Sequence, residues 1–198
     1  MLTASRGHLQ RGWFDIALNK SESECLEFLY ALTTATILSR WHYSRFLVAE
    51  TEDCVVGALC AFRAADTRLQ SLAALAGVAD MLGIPLAEQS LIWQRGAYIS
   101  ACTMHPDSDS LSIESIATLP EFRRRGYSTA LLERAIEEGR VAGCRQAEMA
   151  ILIGNESAER GYEKAGFRCV GELRHPEFEE ISGSSGQRRL VRSLRTPT

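Results

Sequence analysis

The chain has no run of about 18 consecutive apolar residues, so no segment of it reads as a membrane-crossing helix. Its first residues form no apolar secretory core, and a cytoplasmic location is expected. Charge of one sign is not in excess either. Twenty-two basic residues against 25 acidic ones leave a formal net charge of -3, which argues against a general affinity for nucleic acid or for an acidic membrane surface. Six cysteines (Cys25, Cys54, Cys60, Cys102, Cys144, Cys169) are scattered without a CxxC pair. Disulfide scaffolds are usually shorter and denser in cysteine, so these read as reduced, mostly buried thiols. The four histidines (His8, His42, His105, His175) show neither HExxH nor a Cys/His ligand spacing, and no metal centre is expected. GxxxxGK[ST] and GxGxxG are absent as well, which weakens the nucleoside-triphosphatase and dinucleotide-binding alternatives. A cysteine-based acyl transfer finds no evident Cys/His pair.

What is present is ordinary globular composition: 198 residues, 45% hydrophobic, 24% charged and 8% aromatic. That length can bury a substantial core in one domain. The first fifteen residues give no clear period. Apolar positions from Ser23 to Leu38 recur at helical spacing, with Ser21 or Ser23 able to cap the helix start. Phe46–Glu50 and Cys54–Phe62 read as strands joined by the short polar Thr51-Glu52-Asp53, hence an antiparallel hairpin. Between about 64 and 96 lies a helical excursion, with one helix ending near Gly83 and another opened by Pro85. Ala97–Cys102 reads as a strand, and the segment from His105 to Ser110 as a turn. Then follow a strand (Leu111–Thr118), a helix (Ser128–Ala142), a strand (Ala147–Ile153), a short helix (Ser157–Ala165), a strand (Phe167–Leu173) and a last strand (Arg188–Leu194). Without repeat or linker, residues 1–198 read as a single mixed α/β domain.

Chemistry concentrates after the strand Leu111–Thr118. A turn punctuated by Pro120 leads through Arg123-Arg124-Arg125-Gly126-Tyr127-Ser128 into an amphipathic helix whose stripe is Leu131, Leu132, Ala135, Ile136 and Ala142, with Gly143 as a C′ residue. A strand that feeds a glycine-containing turn and a helix start makes an anion site, because unpaired amide hydrogens and the positive end of the helix dipole converge there. Gly126 lets backbone approach a ligand, and Ser128 and Thr129 can add hydroxyls.

This segment is similar to the Q/R-x-x-G-x-G/A motif of the GNAT superfamily of N-acetyltransferases, with Arg123, Gly126 and Ser128 at the first, fourth and sixth places. Ser128 departs from the usual glycine or alanine. Downstream, Asn155, Ala158, Tyr162, Lys164, Gly166 and Phe167 resemble the family's N-x-x-A-x-x-x-Y-x-K-x-G-F element. The likeness is close from Leu111 to about Leu173 and loose over Phe46–Phe62, and the family's usual first strand is not evident near Met1. It implies a GNAT-like α/β fold (α+β in the sense of its mixed sheet): mostly antiparallel strands flanked by helices, with one splayed parallel pair, here Leu111–Thr118 beside Ala147–Ile153.

The resemblance further implies that acetyl-CoA lies where that pair splays, with CoA as co-product. Its pyrophosphate would rest on the Arg124–Thr129 amides, and its pantetheine arm would add to the strand edge at Ile116, Ala117 and Thr118. Asn155 would hold the cofactor arm or the helix start. A neutral amine, support for an oxyanion and a proton for the leaving thiolate are then required. Tyr162 is the candidate acid, since a phenol with a pKa of about 10 remains a donor at neutral pH. Glu114 is the candidate base, directly or through water. Strict alternation would put it on one strand face with Ile116 and opposite Ile113 and Ser115.

Each residue also has a plain structural role open to it. Tyr162 could be a core aromatic, Glu114 a salt-bridged strand carboxylate, and the arginine run a solvated surface. Trp93 and Tyr98 are core aromatics or lining of an acceptor pocket, and His105 is a turn residue or a substrate contact. The expected activity is acetyl transfer to a primary amine of a small molecule or peptide, without nucleic acid or membrane as partner. The alternative is a non-catalytic module that binds acyl-CoA. The acceptor stays unnamed, and association stays open, a homodimer being one option.

Overall fold

A computed structural model describes residues 1–63 and 67–195. The expected excursion at 64–96 begins with three residues outside that range. Its remainder forms α4 (Arg68–Met81) and α5 (Leu86–Gly96). Gly83 turns the chain between them at φ 66, and Pro85 is the residue before α5, where its lack of an N–H costs nothing.

Six strands form one sheet in the order β1-β2-β3-β4-β6-β5. β1 (Phe46–Glu50) and β2 (Val55–Arg63) make the expected hairpin. β3 (Ser110–Thr118) runs antiparallel to β2 and parallel to β4 (Gln146–Leu152). β6 (Gly186–Ser193) is antiparallel to both β4 and β5 (Arg168–Arg174). The β3–β4 pair is thus the one parallel contact among the described strands. Its register holds for Ser110 with Gln146, Leu111 with Ala147 and Ser112 with Glu148, and then stops. Beyond Ser112 the strands part.

α6 (Tyr127–Val141) follows from the stripe read in the sequence, except that Ala142 is exposed just past the helix end. Leu131, Leu132, Ala135 and Ile136 are buried with Leu59, Leu111, Ile113, Met149, Phe167 and Leu190 in the cluster between this helix and the sheet. Gly143, at φ 77, ends the helix by donating to the Arg140 carbonyl. α7 (Glu156–Lys164) leads to Phe167 and then β5. A second cluster joins α3 (Glu22–Thr34), α4 and α5 with two short helices near the amino terminus, α1 (Leu2–Arg6) and α2 (Trp13–Leu18). α3 starts on a capping box: the Ser21 amide donates to Glu24 Oε2 at 3.0 Å while the Glu24 amide donates to Ser21 Oγ at 3.4 Å. Bonds to Ser21 and Lys20 hold the Glu24 carboxyl down at about 2.

Three expectations are corrected. Ala97–Cys102 is a 3-10 helix, not a strand. Tyr98 and Cys102 lie on one side of it and bury against Ile16 and Phe178, a tertiary contact that overrides the strand-like composition. The first long helix ends at Thr34 rather than near Leu38. Third, β3 does not alternate strictly. Ala58 pairs with Ala117 and Cys60 with Glu114, so Leu59 faces two residues, Ser115 and Ile116, across a bulge with Ser115 at φ 55. The extra residue returns Ile116 to the α6 side with Ile113 and Leu59, so Glu114 and Ile116 do not share a face. Two features carried no clear sequence signal: the short amino-terminal helices, and α8 (Pro176–Ser182), which packs on the 3-10 segment. No described residue before Phe46 is in a strand.

Candidate active site

The parting of β3 from β4 opens a cleft of about 970 Å³, measured out to its mouth. Its walls are Ile113–Ile116 of β3 and Met149–Leu152 of β4, and it receives Asn155, just before α7, and Tyr162 of α7. The segment around Gly7, Arg11 and Trp13 crosses its other side, with Tyr98, Phe178 and Gln187 nearby. Three residues expected to act together from the sequence, Glu114, Asn155 and Tyr162, therefore line one space.

At one end of β3 is the anion cradle. Arg124 has φ 61 and Gly126 φ 87, which turns the chain sharply before α6. The Arg123 amide still donates to Pro120, and the Ala130 amide begins the helical series by donating to Gly126. Amides 124–129 have no acceptor among the described residues. A Cβ on Gly126 would meet nothing within 4 Å, so the space above the turn is open. Unclaimed amides at the start of a 15-residue helix, next to three exposed arginines, fit a diphosphate.

The arginines are not equivalent. Arg123 Nε donates to the Thr118 carbonyl at 3.3 Å, and Arg125 stacks over Phe122 at 5.2 Å. Phe122 in turn meets the Tyr127 ring edge-on. The Ser128 hydroxyl bonds Thr118 Oγ1 at 2.8 Å, tying the cradle to the end of β3, while Thr129 is exposed. Ile116, Ala117 and Thr118 keep β2 on one edge and have no strand partner on the β4 side. An extended arm can join that edge by strand-like hydrogen bonds.

Tyr162 packs against the α6-side cluster and faces the cleft. Burial pushes its phenol up to about 12, so it stays protonated through neutral pH. Asn155 precedes α7 but its side chain makes no capping bond, which leaves the amide to the cleft. Ala158 is half-buried on the next turn. Glu114 is half-exposed, and Oε1 accepts from Arg40 Nη1 at 3.3 Å. It is therefore both the salt-bridged strand carboxylate and a wall of the cleft.

Other candidates separate. Tyr98 lines the cleft but is buried on Phe178 with ring centroids 5.4 Å apart, and burial pushes it up to about 12. Trp93 instead lines a small apolar pocket between α2, α3, α4 and α5. His105 is exposed in its loop and does not line the cleft. Sequence reasoning missed Arg11, Arg40 and Ser115. Arg11 and Arg40 lie in stretches without period or motif, and nothing near them announces a site. Ser115 sits at a bulge that no glycine marks.

The profile of the acetyltransferase (GNAT) family matches residues 15–167. The chain belongs to the GNAT acetyltransferase family. Among solved structures it is similar to an N-acetyltransferase from Staphylococcus aureus Mu50, at 21% identity and a TM-score of 0.67, over 90% of this chain and 88% of that one. A protein described only as an acetyltransferase is 19% identical with a TM-score of 0.63, over 91% and 85% of the two chains. A third, SsHAT, is 16% identical with a TM-score of 0.54, over 85% and 81%. At these identities the likeness is one of fold. No curated protein matches the sequence.

Proposed function

We propose that this acetyltransferase moves the acetyl group of acetyl-CoA to a primary amine by direct attack. The observation that carries the proposal is the parting of β3 and β4 after Ser112 and Glu148, which opens one cleft to Glu114, Asn155 and Tyr162 next to a cradle of unclaimed amides. Acetyl-CoA supplies the thioester whose acyl carbon the amine attacks. The chain supplies the rest. Amides 124–129 hold the diphosphate, and the free edge of β3 at Ile116–Thr118 aligns the arm. Asn155 bonds that arm from the opposite wall.

Tyr162 donates its proton where the thiolate leaves, a role that needs a phenol still protonated at working pH. Glu114 takes a proton from the amine, through water where the amine does not reach it. Its ion pair with Arg40 at 3.3 Å holds it at the wall of the cleft. The same proposal places the protein in the cytoplasm, consistent with thiols read as reduced. Among the described residues no helix is long and apolar enough to cross a membrane.

Incubation with acetyl-CoA and a panel of amines, following thiol release, tests this. Amine-dependent release is expected. Thermal stabilisation by CoA with no release for any amine would mean that the chain only binds acyl-CoA.

A further inference from the structure

We propose that the acceptor is a small amine that also carries a carboxylate, and that Arg11 binds that carboxylate at the wall of the cleft. This rests on the acetyl-transfer activity proposed above. Among the described residues that line the cleft, the charged side chains are Arg11 and Glu114. Glu114 is already engaged by Arg40 at 3.3 Å. Arg45 adds a second guanidinium on that side: both arginines and Glu114 act electrostatically on the thiol of Cys60, the residue opposite Glu114 in the β2–β3 ladder, and that thiol donates to the Arg40 carbonyl at 3.0 Å. The Arg45 guanidinium has no hydrogen-bond acceptor among the described residues, and the Nε atoms of Arg40 and Arg45 are both buried without one. Positive charge exceeds negative around Glu114 before Arg11 is added.

Arg11 is held on one side only. Its Nη2 donates to the Asp15 carbonyl at 2.9 Å and to Asn19 Oδ1 at 3.3 Å, which fixes the guanidinium against the end of α2. Nη1 and Nε have no acceptor among the described residues. Asp15 lies within electrostatic reach, but its carboxylate is shared by Arg6 at 2.7 Å and the Gly12 amide at 2.8 Å. A planar fork anchored through one nitrogen, with its other N–H groups lacking a protein acceptor and belonging to a residue that lines the cleft, is suited to a carboxylate. A polycationic acceptor would meet excess positive charge and a single acid already paired, which selects against it. An amine with a carboxylate can present the first to Glu114 and the second to Arg11.

The test compares matched acceptors in the thiol-release assay: amino acids and dipeptides, their carboxamides, and polyamines. The carboxylate forms are expected to have a kcat/KM roughly 10- to 100-fold above the carboxamides, the range for a hydrogen bond to a charged group. Arg11→Gln should collapse that ratio by raising KM for the carboxylate forms, and Arg11→Lys should restore part of it. Equal rates for acid and amide, or a preference for polyamines, would overturn the proposal and leave acetyl transfer standing. A rise confined to the KM of acetyl-CoA in Arg11→Gln would assign Arg11 to the cofactor and overturn it too. Absence of CoA binding and of turnover with every amine would remove both proposals.

Discussion

Tyr162 shows how one residue's surroundings select its chemistry. Its ring is packed into the α6-side cluster while the residue borders the cleft, and burial pushes the phenol from its ordinary value up to about 12. Tyr162→Phe keeps the packing and removes the proton. Turnover is expected to fall by about 10²- to 10⁴-fold, the usual weight of a general acid, with the affinity for CoA little changed. Steady-state kinetics beside CoA titration separates the two, and an unaltered kcat would strip Tyr162 of the role. The sign of the pH effect also follows. Because the folded-state value is raised, the stability linked to Tyr162 is complete below about pH 10 and is lost as pH climbs toward about 12. Turnover should accordingly show no loss from Tyr162 ionisation between pH 7 and about 10.

Gly126 makes a different point at the same scale. Its φ of 87 is one that a β-branched side chain resists, and the space above it is open. Gly126→Val should cost about 1–3 kcal/mol in backbone strain. It should also set a side chain where the diphosphate is expected, so CoA affinity falls by more than the loss of stability accounts for. Calorimetric titration of the folded variant measures this. Unchanged affinity would refute the cradle.

Elements differ in how openly their sequences announce them. α6 was legible because its stripe, its glycine turn and its C′ glycine all agree, and the β1–β2 hairpin because three polar residues separate two apolar runs. The segment Ala97–Cys102 misled because tyrosine and isoleucine favour strands in general, whereas here Tyr98 and Cys102 bury together on Phe178, a residue some 80 positions away. Local composition holds no trace of that contact. The bulge at Ser115 was equally hidden, yet it decides which residues of β3 face the cleft. The motif residues Gly126, Asn155 and Tyr162 could be read; Arg11, on a loop without period, could not.

α3 offers a test at this scale. Its capping box should be intact at neutral pH, so Ser21→Ala is expected to lower the melting temperature there. Glu24 sits at about 2 in the folded chain against an ordinary 4.5, so the contribution is complete above about pH 4.5 and vanishes as pH falls through about 2. Melting curves of the two proteins should therefore converge across that window. A gap that persists at pH 2 would show that the box is not its source.

In the whole molecule, the α6-side cluster and the helical cluster of α1–α5 border the cleft, and Tyr98 and Phe178 of a third cluster also line it. The α6-side cluster holds β3 and β4, while the helices α1–α5 bring the amino-terminal segment across the opening, anchored where Arg6 pairs with both Asp15 and Glu22. The Trp13 indole ties that segment to α5 by donating to the Gly96 carbonyl at 2.9 Å. A ligand lying along β3 and touching the Gly7–Trp13 wall would bridge the α6-side and helical clusters, and it can do so only in the folded chain. Binding must then raise the global stability. At a free CoA concentration of 100 times the dissociation constant, the gain is about 2.7 kcal/mol. For a chain of this length that corresponds to a rise in melting temperature of about 5–11 °C. Differential scanning calorimetry should show one transition moving upward as a unit. Movement of one transition while a second stays put would mean that CoA contacts a single cluster and that the amino-terminal segment does not close the site.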